Sequence, residues 1–200
     1  MIMKYYIVAL FDKDSYTNLS PVQRKYSKKF RGNRNSPLPY LTLNVVETST
    51  IDKIVPIVEK VLQPYKKFKI EYDNNNASIY DPLKSIAVNV KDRGYIKKIY
   101  TKLEDMFELN GIPSILPSKE NLKLSLANLS QPKDRKNTID SVAEEEIIST
   151  LKVDRIEIWK LNPGKKETCM KTFELKSFYK LFNYFLCSRF LTLLIINKFL

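Results

Sequence analysis

Two short stretches, in opposite halves of the chain, each place a hydroxyl side chain two positions after a side chain that can donate a proton. The first contains Tyr40 and Thr42 in the sequence PYLTL, and the second contains Lys123 and Ser125 in the sequence LKLSL. Because side chains alternate across a strand, each stretch has one polar face and one leucine face. Hydroxyl and ammonium groups on such a polar face are suitable donors to phosphate oxygens.

The two stretches resemble the paired His-x-Thr/Ser signatures of the two-histidine phosphoesterases, the superfamily of bacterial 2'-5' RNA ligases and cyclic phosphodiesterases. Tyr40 and Lys123 stand at the histidine positions, whereas Thr42 and Ser125 keep the hydroxyls. The resemblance implies that the two histidines act as general base and general acid on a 2',5' or 2',3'-cyclic phosphodiester. It also implies that the hydroxyls hold the phosphate oxygens.

The chain contains no histidine, so the residues at both catalytic positions differ chemically from those of the family. Histidine suits general acid–base catalysis because its ordinary pKa of about 6.5 allows both protonation states near neutral pH. Tyrosine and lysine have ordinary pKa values of about 10 and 10.4, so at neutral pH they donate a proton but do not readily accept one. Tyr40 and Lys123 are therefore expected to be a degenerate catalytic pair.

The resemblance, together with the substitutions at Tyr40 and Lys123, leads us to predict a catalytically impaired member of this superfamily that binds RNA ends or small nucleotides. Its phosphate groove would be formed by Thr42, Ser125 and Lys123. One alternative is an active RNA 2',3'-cyclic phosphodiesterase or 2'-5' RNA ligase, in which a basic neighbourhood lowers the pKa of one substituted group so that it serves as base. A second alternative is a tail-anchored or protein-interaction adaptor.

The charge balance favours an anionic partner. The formal net charge is +12, from 34 basic and 22 acidic residues. Such an excess favours nucleic acid, nucleotides or an anionic membrane surface, although a coding bias towards lysine would produce it without any partner. A basic run without acidic residues supplies weaker candidates for nucleic-acid contact, which a solvated helix face would explain equally well: Arg24, Lys28, Arg31 and Arg34.

Other chemistries have little support in the composition. With no histidine and only two cysteines, neither a transition-metal site nor a disulfide framework is expected. The four glycines are too scattered for a P-loop or a dinucleotide-binding fingerprint. The first residues lack the apolar core of a signal peptide. We therefore expect a cytoplasmic monomer that binds no metal and needs no cofactor.

Hydrophobic periodicity indicates an α+β fold. The mixed order of elements, with the two motif strands in opposite halves, predicts a pseudo-symmetric domain over residues 1–177. This order matches that of the resembled family, and the resemblance implies a bilobal fold in which two antiparallel sheets with flanking helices surround a central groove. The expected strands are 3–10, 38–46, 67–73, 76–80, 85–91 and 121–127, followed by a hairpin of 153–161 and 167–175. The first expected helix has Ser20 as N-cap and Pro21 at its first position and runs to about residue 32. The second has Ile51, Val55, Val58 and Leu62 on one face, and Pro56 leaves its start open. The third runs from Ile96 to near Gly111, and the fourth begins at Ser141 and includes Val142, Ile147, Ile148 and Leu151.

Residues 178–200 form an apolar tail with almost no polar face. Its 23 residues are long enough to span a bilayer, but Arg189 lies near the middle and opposes insertion. Membrane contact, docking onto the domain and an extension without a role all remain open.

Overall fold

The computed structural model describes residues 2–80, 83–91, 94–116, 122–129, 147–160 and 167–177. These residues form eight strands and three α-helices in mixed order, which confirms the α+β class. The strands are β1 (Met3–Phe11), β2 (Tyr40–Thr48), β3 (Phe68–Tyr80), β4 (Ser85–Lys91), β5 (Ser114–Leu116), β6 (Lys123–Asn128), β7 (Ile148–Lys160) and β8 (Thr168–Glu174). The helices are α1 (Lys13–Lys29), α2 (Val55–Leu62) and α3 (Tyr95–Leu109).

The strands are joined edge to edge by antiparallel pairing. Their order is β1-β2-β6-β4-β3-β7-β8, and a further pairing of β1 with β7 closes six of them into a ring. Strand β5 pairs with β2 outside this ring. As a result, the strands that carry the two motifs, β2 and β6, are direct neighbours although they come from opposite halves of the chain.

The main hydrophobic core lies between the sheet and the helices. Leu41 and Leu43 of β2 and Leu124 and Leu126 of β6 are fully buried in it. Buried side chains of all three helices join the same core: Leu19, Tyr26, Val58, Ile99, Leu103 and Phe107. Because side chains alternate along a strand, burying these leucines turns Tyr40, Thr42 and Ser125 to the opposite face.

Helix α1 begins about two turns earlier than the sequence suggested. The prediction that it starts at Ser20 is wrong, because Asp12 caps a helix that begins at Lys13. The Asp12 carboxylate accepts a hydrogen bond of 3.0 Å from the backbone amide of Ser15. Pro21 therefore lies in the interior of the helix, where its ring removes a backbone donor.

The helix expected from Ser141 onwards is also corrected where the structure describes it. Ile148 begins β7, and Leu151 is buried and pairs with Ile70 of β3, so these residues are in a strand. Residues 141–146 lie outside the described residues. The ladder with β3 explains the difference, because long-range pairing overrides a local capping pattern.

The other expected elements are present with shifted ends. The expected strands 67–73 and 76–80 form one strand, β3, with an irregular register between Tyr72 and Ala77. Strands β7 and β8 form the expected hairpin, whose connecting residues 161–166 are outside the described part.

No helix within the described residues is long and apolar enough to cross a membrane. The tail at 178–200 is not among those residues. Its three possible roles, and the boundary between it and the domain at residue 177, stay predictions.

The interior proline of α1 should reduce stability. A proline inside a helix lowers the free energy of unfolding by about 3 kcal/mol. Because proline also restricts the unfolded chain, up to about 1 kcal/mol of this loss is offset. We expect Pro21→Ala to raise the free energy of unfolding by about 2 kcal/mol in urea titrations. The control is Pro56→Ala, because Pro56 lies in the first turn of α2, where proline is well tolerated, and no gain is expected. Equal effects of the two substitutions would contradict this account of α1.

Candidate functional site

The polar faces of the two motifs meet where β2 pairs with β6. Tyr40 lies opposite Ser125, and Leu41 lies opposite Leu124. Residues opposite each other in an antiparallel pair share a face, and so do residues two apart on one strand. Tyr40, Thr42, Ser125 and Lys123 therefore belong to one face of the sheet, which we call the cleft face.

A second serine, which the sequence analysis did not identify, joins this group. The hydroxyl of Ser85 on β4 lies 3.0 Å from that of Ser125, and both residues are buried. Alternation along β4 alone could not identify Ser85, because its relevance depends on β4 pairing with β6. The two hydroxyls form a small buried network beside Tyr40.

Lys123 is more exposed to solvent than Tyr40, Thr42 and Ser125. Its ammonium group donates a hydrogen bond of 3.1 Å to the hydroxyl of Ser78 on β3. The same nitrogen lies 5.7 Å from the centre of the Tyr80 ring, a cation–π distance. The positive charge of Lys123 therefore lies beside the half-buried ring of Tyr80.

Tyr40, in contrast, is packed into an apolar cluster. Its ring meets that of Trp159 edge to face, with centroids 4.9 Å apart. Val8 and Leu10 of β1 complete the cluster, and Tyr40 is only 5% exposed. Trp159 was not predicted as a site residue, since the pairing of β1 with β7 brings it here. This part of the cleft face is therefore filled by side chains rather than open.

Burial determines the proton chemistry of Tyr40. Removal from water raises the pKa of the Tyr40 hydroxyl far above its ordinary value, and the charge of Glu167 and the proximity of Tyr6 raise it further. A hydrogen bond with Ser125 only partly opposes this shift. The direction is the reverse of what a general base requires, so Tyr40 remains a neutral proton donor.

Two polar side chains on β2 have spare hydrogen-bonding capacity. Among the described residues, Thr42 Oγ1 and Asn44 Nδ2 are buried without a hydrogen-bond partner. Asn44 is held by its other amide atom, because Asn44 Oδ1 accepts a bond of 2.6 Å from the hydroxyl of Ser114. Both unpartnered atoms can donate, and leaving buried donors unused costs about 1–3 kcal/mol each. A polar ligand oxygen would satisfy them.

The acid on β7 that faces the cleft is already engaged. Glu157 lies two positions before Trp159, and its carboxylate accepts a hydrogen bond of 2.6 Å from the Trp159 indole nitrogen. Arg155 Nε donates to the same carboxylate at 2.9 Å, and the guanidinium also pairs with Asp154. These contacts orient the indole ring and commit Glu157 to a structural role.

Two hydrogen bonds of the Tyr16 hydroxyl hold the start of β2 in place. The hydroxyl donates to the carbonyl of Pro39 at 3.2 Å and accepts from the backbone amide of Phe11 at 3.3 Å. Burial raises the pKa of Tyr16 to about 12, which keeps the hydroxyl protonated and able to make both bonds. The start of β2, and hence Tyr40, is fixed in this way.

The weaker basic candidates do not join the cleft face. Arg24, Lys28, Arg31 and Arg34 come together in the last turns of α1 and the loop after it. Within the described residues, no group of three or more aspartate, glutamate or cysteine side chains could hold a metal ion.

The buried hydroxyl of Tyr40 should make stability depend on alkaline pH. The pKa of Tyr40 in the folded state is raised above the unfolded value of about 10. Its contribution to the free energy of unfolding is therefore complete below about pH 10 and is lost as the pH rises above about 10. We expect Tyr40→Phe to make the fall in unfolding free energy between about pH 9 and 11 less steep. Tyr95→Phe, at an exposed tyrosine, is the control for removing a hydroxyl from the surface. A slope unaffected by Tyr40→Phe would refute the burial of this hydroxyl.

Comparisons by sequence identify no relative: no family model matches the chain, and no curated protein does. Solved structures do match. The structure of E. coli LigT with 3'-AMP superposes with a TM-score of 0.60 at 11% identity, over 88% of this chain and 100% of that one. A structure described as a phosphoesterase has a TM-score of 0.57 at 11% identity, over 88% and 100%. The protein TT0787 of Thermus thermophilus has a TM-score of 0.54 at 13% identity, again over 88% and 100%. With the motif strands paired as described, the chain has the fold of the LigT-like, two-histidine phosphoesterases.

Proposed function

We propose that this chain is a member of the two-histidine phosphoesterase superfamily that binds RNA ends or small nucleotides but has little or no catalytic activity. The observation that supports this most strongly is the pairing of Tyr40 with Ser125, which puts the motif hydroxyls on one face beside a phenol that cannot act as base. The motif residues keep donors for a phosphate and lack an acceptor for a proton.

Lys123 is the first point of contact for an anion. It is part-exposed and carries a fixed positive charge, whereas Thr42 is 3% exposed and Ser125 is 1% exposed. A phosphate would therefore meet the ammonium group first. It would reach the buried hydroxyls only after neighbouring side chains move.

Tyr80 gives the same location a surface for a base. Its ring is half-buried and lies beside the Lys123 ammonium. Stacking of a base on an aromatic ring contributes about 1–3 kcal/mol and tolerates any base. Phosphate and base contacts together favour a nucleotide over inorganic phosphate as ligand.

The neighbouring structures support this ligand class by analogy. LigT has been crystallised with 3'-AMP, with ATP and with NADP+, so that protein accommodates nucleotides. A shared fold does not transfer activity, which depends on the residues at the site. Here the site has no histidine, and each positioned acid or base is worth roughly 10²- to 10⁴-fold in rate. Binding without efficient turnover follows.

Binding should depend on Lys123. A hydrogen bond to a charged group contributes about 1.5–3 kcal/mol, so we expect Lys123→Ala to weaken binding of a 2',3'-cyclic nucleotide by about tenfold or more. Thr42→Ala combined with Ser125→Ala should also weaken it. The measurement is calorimetric titration, with the fluorescence of Trp159, the sole tryptophan, as a second signal from the cleft. The control is Lys98→Ala on the exposed surface of α3. If all these proteins bind equally, the cleft is not the site.

Activity should return only when proton-transfer groups are restored. We expect the unmodified protein to show no measurable hydrolysis of 2',3'-cyclic phosphates between about pH 6 and 10. Tyr40→His combined with Lys123→His should increase turnover by about 10²-fold or more above the assay background. Tyr40→Phe combined with Lys123→Met is the inactive control of similar size. Turnover by the unmodified protein that Lys123→Ala abolishes would instead establish the active alternative.

A further inference from the structure

A basic cavity lies apart from the cleft face, where α1 and the loop after it meet the end of β6. Its volume is about 450 Å³, and four of its lining residues are Arg24, Lys28, Arg31 and Arg34. None of the described residues that line it is acidic or aromatic, and the only apolar side chain among them is that of Ala127.

The loop that forms one wall of the cavity is clamped to the sheet. The backbone amide of Asn33 donates to the Asn128 carbonyl at 2.7 Å, and the Asn128 amide donates to the hydroxyl of Ser36 at 2.8 Å. Gly32 permits the close approach, because a Cβ there would lie 3.1 Å from the Ile86 side chain. The cavity is thus held in shape before any ligand arrives.

The basic side chains that line the cavity favour an anionic ligand. Arg24 and Lys28 lie one helical turn apart, so their side chains project from the same side of α1 and repel each other. A cation in the last turn of a helix is favoured by the helix dipole, which accounts for Lys28. That effect does not extend to Arg24, which lies more than a turn from the end, or to Arg34 in the loop. All three side chains are exposed and can turn towards a ligand.

The described lining favours the backbone of a nucleic acid over other polyanions. Arginine donates in a planar fork that matches phosphate oxygens. Without an aromatic side chain in this lining there is no platform for a base, so contacts would be to phosphates and independent of sequence. Without large apolar side chains the lining has nothing to insert into a lipid bilayer. A concave cavity also suits a flexible single strand better than the surface of a duplex.

We propose that this cavity binds backbone phosphates of single-stranded RNA, as a second anion site separate from the cleft. Asn128, at its edge, follows Lys123 by five residues on β6, which corresponds to roughly 17 Å of strand. One RNA strand can therefore contact the cavity while its end lies near Lys123. The cavity binds RNA whether or not the cleft holds a nucleotide.

The test is a triple variant of the full chain: Arg24→Ala, Lys28→Ala and Arg34→Ala. Binding of a fluorescently labelled RNA of about 12 nucleotides with a 3'-hydroxyl end is measured by anisotropy at several KCl concentrations. We expect affinity to fall roughly 10- to 100-fold at about 0.1 M salt, and the slope of log K against log salt to flatten by about 2, or about 0.7 for each lost contact. Calorimetric titration with a cyclic mononucleotide should be unchanged. Circular dichroism verifies that α1 remains folded.

The matched control removes the same charge elsewhere: Lys53→Ala, Lys60→Ala and Lys98→Ala, all exposed. It should change RNA affinity by less than about threefold. Equal losses in the two triple variants would overturn the proposal, because net charge alone would then explain binding. Loss of binding to phosphatidylserine vesicles with RNA binding intact would also overturn it, in favour of a lipid headgroup. If Lys123→Ala abolishes nucleotide binding while the triple variant binds RNA normally, the cleft function stands and the second site does not.

Discussion

The antiparallel pairing of β2 with β6 is the constraint on which the site depends. With Tyr40 opposite Ser125, the leucines of both motifs enter the core and the polar side chains share the cleft face. Slipping the register by one residue would reverse every side chain of one strand, burying its hydroxyl among leucines. The closure of the ring by β1 and β7 resists such a slip, because β2 is held on one side by β1 and on the other by β6.

The same packing that creates the site limits its chemistry. Trp159, Val8 and Leu10 surround Tyr40, so the phenol is desolvated and its pKa is raised. A group in this state donates hydrogen bonds but does not take up a proton. Thr42 nearby retains an unused donor, and Lys123 supplies the accessible charge. Our proposal that the cleft holds a phosphate without breaking a phosphodiester bond rests on this set of motif residues, which is rich in donors and without an available base.

Local patterns in the sequence were sufficient to predict which side chains share a face of each motif strand and to predict the class of fold. Alternation in PYLTL and LKLSL correctly separated leucines from hydroxyls, and most strands and helices were placed within a few residues. Signals for helix ends were less reliable: Ser20 with Pro21 mimics a helix start, yet Asp12 already caps α1. Likewise the pairing of Leu151 with Ile70 prevails over a local helix pattern. Ser85 and Trp159 could not be found from the sequence, because they reach the cleft through pairings between distant strands.

The most direct test of the central claim is a titration of isotope-labelled protein with a 2',3'-cyclic nucleotide, followed by amide chemical shifts. Our account predicts that residues 40–42 of β2 and 123–125 of β6 shift together, with one common dissociation constant, because one phosphate contacts both strands. Shifts confined to a single strand, or absent from both while other regions respond, would contradict it.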